Sequence, residues 1–69
     1  MEISFSKKLK ELRTEKNLTQ KKLGEIFNVS SATISDWEIR GYEPSYQVLA
    51  NLAHFFNITV GQLLGIEEY

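Results

Sequence analysis

Apolar residues recur at helical spacing along nearly the whole chain. Phe5, Leu9 and Leu12 stand at i, i+4 and i+7, which places them on one face of a first helix, with lysines and glutamates on the other. That helix is expected to stop near Asn17. Thr19 is a good N-cap for a second helix, whose inward side is Leu23, Ile26 and Phe27. A third helix starts from a Ser30 cap and turns Ile34 and Trp37 inward; the rest of it reads as small hydroxyls, an alanine and charges. "GYEP" (residues 41–44) is a loop, and Ser45 caps a fourth helix that buries Leu49, Leu52, Ala53 and Phe56. Thr59 and Gln62 form a T-x-x-Q capping box for a short fifth helix, which returns Leu63 and Leu64 to the core. The nearest candidate for a strand is "FNITV", and the capping box inside it argues against that. The pattern predicts an all-α fold of five short helices.

The join between the second and third helices has a more specific pattern. Two short helices crossing at a large angle through a tight turn need a residue without bulk at the crossing, and Gly24 stands there. The turn needs a residue that tolerates φ > 0, and Asn28 stands there. Phe27 and Val29 supply apolar flanks, and Ile34 and Trp37 press the next helix inward. A glycine inside a helix costs about 1 kcal/mol relative to alanine, so close packing explains Gly24 better than chance does. These features together are a helix-turn-helix signature, over about residues 20–39.

Composition narrows the classes. The 69 residues are read as one domain, 1–69, with its core over about 5–65. A domain of this size buries only about 60% of its unfolded surface and can still fold alone. Apolar content of 42% and charged content of 25% are ordinary globular values. There is no cysteine, which fits a reducing cytoplasm and excludes disulfides and thiolate chemistry. No apolar run approaches the roughly 18 residues of a membrane span, and residues 1–10 lack a signal peptide's apolar segment. His54, the single histidine, is expected on the outer face of the fourth helix, and one histidine without cysteine makes no metal site. No paired catalytic constellation and no phosphate-cradling glycine loop is visible, so neither an enzyme nor a cofactor is expected.

Net charge is −1, but it is unevenly spread. Residues 7–22 carry seven basic side chains against two acidic ones, and residues 23–69 carry Arg40 alone against six acidic ones. An electrostatic footprint depends on the patch as well as on the sum. Lys7, Lys8 and Lys16 read as general surface charge.

The segment "LRTEKNLTQKKLGEIFNVSSATISDWEIRGYEPS", followed by "LANLAHFFNITVGQLLG", resembles the Cro/repressor-type, or Xre-like, helix-turn-helix family over roughly residues 5–65. The "L-T-Q", "I-S-x-W-E" and "E-P-S" pieces carry the resemblance. It implies a five-helix, lambda-repressor-like domain of bacterial or phage origin. Such a domain binds double-stranded operator DNA, usually as a dimer, with the third helix in the major groove. On this resemblance Gln20 contacts phosphate at the start of the second helix and supports the reading residues. Arg13 and Glu38 match the family's internal ion pair. One place departs: the family often has glycine directly after "W-E-x", where this chain has Arg40, with Gly41 one position later. The third helix is therefore expected to run one residue longer.

Site residues follow from position on the third helix. At about 100° per residue, Ala32, Ser35 and Asp36 point away from Ile34 and Trp37, with Ser31 at the leading edge and Thr33 on a flank. These five are the candidate base-reading set. Serine hydroxyls serve either kind of base, Ala32 suits a thymine methyl, and Asp36 can accept from cytosine N4. Candidate phosphate contacts lie near the N-termini of the second, third and fourth helices, where free N–H groups face an anion: Thr19, Gln20, Ser30 and Tyr46, with Lys22, Arg40 and Tyr42 beside them. Tyr42 and Tyr46 also read as residues packed on the domain surface. Phe55, Val60, Ile66 and Tyr69 are candidates for a homodimer contact, or simply a cover for the core edge.

The expected function is a sequence-specific transcriptional regulator, read as a repressor, that binds an operator without a small-molecule ligand. It is either a Cro-like minimal regulator or the N-terminal half of a longer repressor. The alternative is a protein-interaction module such as an antitoxin or anti-repressor, which the acidic second half leaves open.

Overall fold

The computed structural model describes residues 5–67. Helix α1 spans Phe5–Glu15, α2 Gln20–Phe27, α3 Ser31–Ser35, α4 Tyr46–Phe55 and α5 Val60–Leu64. α3 continues without a break into one π-helical turn, Asp36–Arg40. No strand occurs among the described residues.

Four of these helices stop in the same way. Asn17, Asn28 and Asn57 have φ of 59°, 60° and 61°, and Gly65 has φ of 82°. Beyond each, the next N–H reaches back five residues: Leu18 to Arg13 O at 3.1 Å, Val29 to Gly24 O at 2.8 Å, and Ile58 to Ala53 O and Ile66 to Gly61 O at 2.9 Å. This is the Schellman arrangement, which satisfies carbonyls that a helix end leaves over. Asparagine and glycine hold it because a left-handed backbone costs other residues about 1–2 kcal/mol. After each asparagine comes an apolar residue packed on the core: Leu18, Val29 or Ile58. A hydroxyl then caps the next helix: Thr19 accepts from Lys22 N–H, Ser30 from Thr33 N–H and Thr59 from Gln62 N–H. One three-residue corner is thus used at 17–19, 28–30 and 57–59, as N-L-T, N-V-S and N-I-T.

The helices surround one core of Phe5, Leu9, Leu23, Ile34, Trp37, Leu49, Leu52, Ala53, Phe56 and Leu63. Leu12, Phe27 and Leu64 pack against its edge. Ile26, expected inward, is 43% exposed. The reason is Gly24. That residue is buried, and a Cβ on it would lie 2.6 Å from the Val29 carbonyl oxygen. The face centred on Leu23 and Gly24 is therefore the packed one, and Ile26 lies roughly 200° round from Gly24.

The π turn accounts for the extra residue before Gly41. A π turn is an α-helix carrying one inserted residue. The insertion is taken up inside the helix, and Gly41 still terminates it with φ of 75°. Trp37 and Glu38 are both buried in this turn, while Ile39 and Arg40 are both exposed.

Glu38 is buried because three donors converge on it. Arg13 Nε donates to Oε2 at 2.6 Å, and Arg13 Nη2 and Gln20 Nε2 each donate to Oε1 at 3.1 Å. Arg13 Nη1 donates to the Leu18 carbonyl at 2.6 Å. One ion pair thus ties α1, the α1–α2 corner, the start of α2 and the π turn together.

Two predictions follow from this packing. Gly24→Ala is expected to lower unfolding free energy by about 1–3 kcal/mol, because overpacking against the Val29 carbonyl outweighs alanine's helical advantage. Arg13→Ala or Glu38→Ala, each leaving a buried charge unpaired, is expected to cost about 3–5 kcal/mol, and Arg13→Met with Glu38→Leu to recover most of it. Urea unfolding followed by circular dichroism measures all four.

Candidate nucleic-acid interface

With Ile34, Trp37 and Glu38 held inside, the opposite side of α3 is presented outward. Ser31 and Ala32 are exposed, and Thr33, Ser35 and Asp36 are half-buried. These five side chains do not stand equally free. The Thr33 hydroxyl shares a 3.0 Å hydrogen bond with Ser30 Oγ, which also accepts from the Thr33 N–H. Both hydroxyls are thus engaged in the helix cap. Asp36 Oδ1 lies 3.3 Å from Arg40 Nε, one turn along. Both partners are substantially exposed, and a surface pair of this kind contributes at most about 1 kcal/mol. Arg40 can exchange its carboxylate for a phosphate at small cost, and doing so frees the Asp36 acceptor.

The residues beside this face lie at helix starts. Thr19 Oγ1 accepts from the Lys22 N–H at 2.9 Å, so the hydroxyl completes the α2 cap. Gln20, the first residue of α2, uses its amide nitrogen on Glu38, and an amide nitrogen has a second hydrogen with which to meet a phosphate. Lys22 Nζ is 3.9 Å from Glu25, a loose and exposed pair. Ser45 caps α4, and Tyr46 follows as its first residue. Tyr42 and Tyr46 are both exposed.

Ile39 is the exception to the polar reading of this helix: it is a large apolar side chain, and 75% exposed. Its signal was available as an isoleucine opposite Ile34 and Trp37 on the helical wheel. Apolar periodicity is searched for inward positions, so a single outward isoleucine gives no pattern.

The residues considered for a contact between copies differ among themselves. Phe55 is half-buried, edge-on to Phe27 and Phe56 with ring centres 5.5 and 5.0 Å away, and the Lys16 ammonium lies 5.5 Å from its ring centre. Val60 is half-buried against the core, Ile66 is exposed, and Tyr69 lies outside the described residues. Ile26, Phe27, Asn28, Asn51, His54 and Phe55 line an open groove of about 440 Å³ between the end of α2 and the outer face of α4. Among the described residues no cluster of His, Cys, Asp and Glu could hold a metal ion, and no helix is long and apolar enough to cross a membrane.

Comparison with known proteins places this arrangement. The helix-turn-helix family model matches residues 9–63. The HTH-type transcriptional activator BcrR of Enterococcus faecalis is 45% identical over 67 residues, which is 96% of this chain and 32% of that protein. The HTH-type transcriptional regulator ImmR of Bacillus subtilis is 32% identical over 66 residues, 96% of this chain and 52% of that protein. The chain therefore spans between a third and about half of the length of these relatives. Among solved structures, the P22 c2 repressor in complex with a synthetic operator superposes with a TM-score of 0.83 and 25% identity, covering 94% of this chain and 98% of that one. Its five-helix architecture is that of the lambda-like repressors. The buried Gly24 crossing, the Asn28 corner and the α2–α3 pair are the parts this family is named for, and the chain belongs to the helix-turn-helix family.

Proposed function

We propose that this protein is a sequence-specific, double-stranded DNA-binding regulator of transcription that lays α3 into the major groove of an operator. The observation that carries the reading is the division of α3: Ile34, Trp37 and Glu38 are buried and hold it, and Ser31 and Ala32 are left exposed at its start. In helix-turn-helix docking the N-terminal part of this helix meets base edges. The similarity to two transcriptional regulators and to an operator-bound repressor supports the same reading. One of these relatives is an activator and another a repressor, so the shared fold is compatible with either direction of control.

In this reading Ser31, Ala32, Thr33, Ser35 and Asp36 face the bases. Thr19, Gln20, Lys22, Ser30, Arg40, Tyr42 and Tyr46 approach the phosphates. Small residues at the start of α3 allow close approach to the groove floor. Lys22 and Arg40 supply the positive charge among these contacts, so binding is expected to weaken with salt. The protein is taken to bind as a homodimer on half-sites about one helical turn, or 34 Å, apart. Among the described residues considered for the contact between copies, Ile66 is the most exposed.

Selection of bound duplexes from random sequence, with affinities measured at two salt concentrations, tests the proposal. A single enriched motif and a steep loss of affinity with salt are expected. No enriched motif, or affinity indifferent to salt, overturns it and favours a protein partner. Ser31→Ala and Asp36→Ala are expected to change the selected motif. Lys22→Ala is expected to weaken binding to all sequences alike and to lower the salt slope by about one.

A further inference from the structure

We infer that Ile39 is a further specificity-determining residue, reading the 5-methyl group of a thymine in the operator half-site. The inference rests on the operator-binding reading above and adds to it a residue and a base. Its starting point is the exposure of Ile39, 75%, on the side of α3 that carries Ser35 and Ala32. At the α-helical rate of about 100° per residue, Ile39 lies about 20° from Ala32 and 40° from Ser35. The wider π turn brings it closer to Ser35 and carries it further from Ala32. Single exposed apolar residues are ordinary on a protein surface. Two further observations make this one informative.

The first is clustering. Of the five large apolar side chains exposed among the described residues, Ile39, Tyr42 and Tyr46 fall within eight residues of chain, between the end of the third helix and the start of α4. The second is chemistry. An isoleucine cannot bond to a phosphate oxygen or a base edge, so all it can offer a groove is apolar area. The major groove presents one apolar group in return, the thymine methyl. Asp36 and Arg40, on either side of Ile39, carry opposite charges and leave no net charge beside it.

Length allows the contact. Ile39 is seven residues from Ala32, about 10 Å along the helix axis, or about three base-pair steps. The same separation means that the thymine met by Ile39 is not the one within reach of Ala32. Taking up the inserted residue as a π turn leaves Trp37 and Glu38 inside while Ile39 and Arg40 face out.

The test replaces each thymine of the selected half-site by uracil, which removes the methyl and leaves the pairing edge unchanged. Affinities are measured for the wild-type protein, Ile39→Ala and Ile39→Val, with thermal melts to confirm folding. Burial of one methyl corresponds to about a fourfold change in affinity. The expected result is one thymine at which uracil weakens the wild type about fourfold, with no effect in Ile39→Ala and most of the effect kept in Ile39→Val. If a motif is selected but every uracil effect persists in Ile39→Ala, the assignment is overturned while operator binding stands. The same holds if Ile39→Ala instead weakens self-association in sedimentation, which would place Ile39 between copies of the chain. If no motif is selected, operator binding itself fails and this inference with it.

Discussion

The Arg13–Glu38 pair fixes the position of the third helix against the first two. It lies at the one place where α1, the α1–α2 corner, the start of α2 and the π turn of the third helix meet. Its guanidinium is occupied on both sides, by the carboxylate and by the Leu18 carbonyl. A buried ion pair is weak evidence for stability, because desolvation offsets much of the Coulombic gain. Its value here is geometric. A bidentate pair fixes both distance and orientation, and Gln20 adds a third donor from the start of α2. The outward side of the third helix is therefore set relative to α1 and α2 by bonds with direction, where apolar packing alone would leave more freedom.

The three asparagine corners perform a related task for the backbone. Short helices need sharp, defined reversals, and each Asn–apolar–hydroxyl triplet ends one helix, drops an anchor into the core and starts the next. Asn28 sets the turn of the helix-turn-helix pair in this way. The closed contact between Gly24 and the Val29 carbonyl fixes how near the two helices come.

Much of this was legible in the sequence. The caps at Thr19, Ser30, Ser45 and Thr59 were readable because a hydroxyl at a helix start satisfies N–H groups that nothing else nearby can. The core positions Leu9, Leu23, Ile34, Leu52 and Leu63 followed from helical periodicity. Periodicity alone places Ile26 inward, whereas burial of Gly24 turns α2 so that Ile26 borders the groove beside α4. The longer third helix was anticipated from the position of Gly41. Its π form was not, since an inserted residue leaves no composition signal. Ile39 gives no sequence signal for a similar reason, being an apolar residue where no core demands one. The engagement of Asp36 with Arg40 and of Thr33 with Ser30 belongs to side-chain geometry, which spacing does not encode.

The outward side of the third helix, held by the Arg13–Glu38 pair, is the surface proposed to meet DNA. Backbone amide chemical shifts recorded while a selected operator duplex is titrated into the protein test this most directly. The largest changes are expected on Ser31, Ala32, Ser35 and Ile39 and at the starts of α2 and α4, with α5 little affected. Changes concentrated instead along the groove of Ile26, Asn51 and His54, with the third helix unmoved, would contradict it.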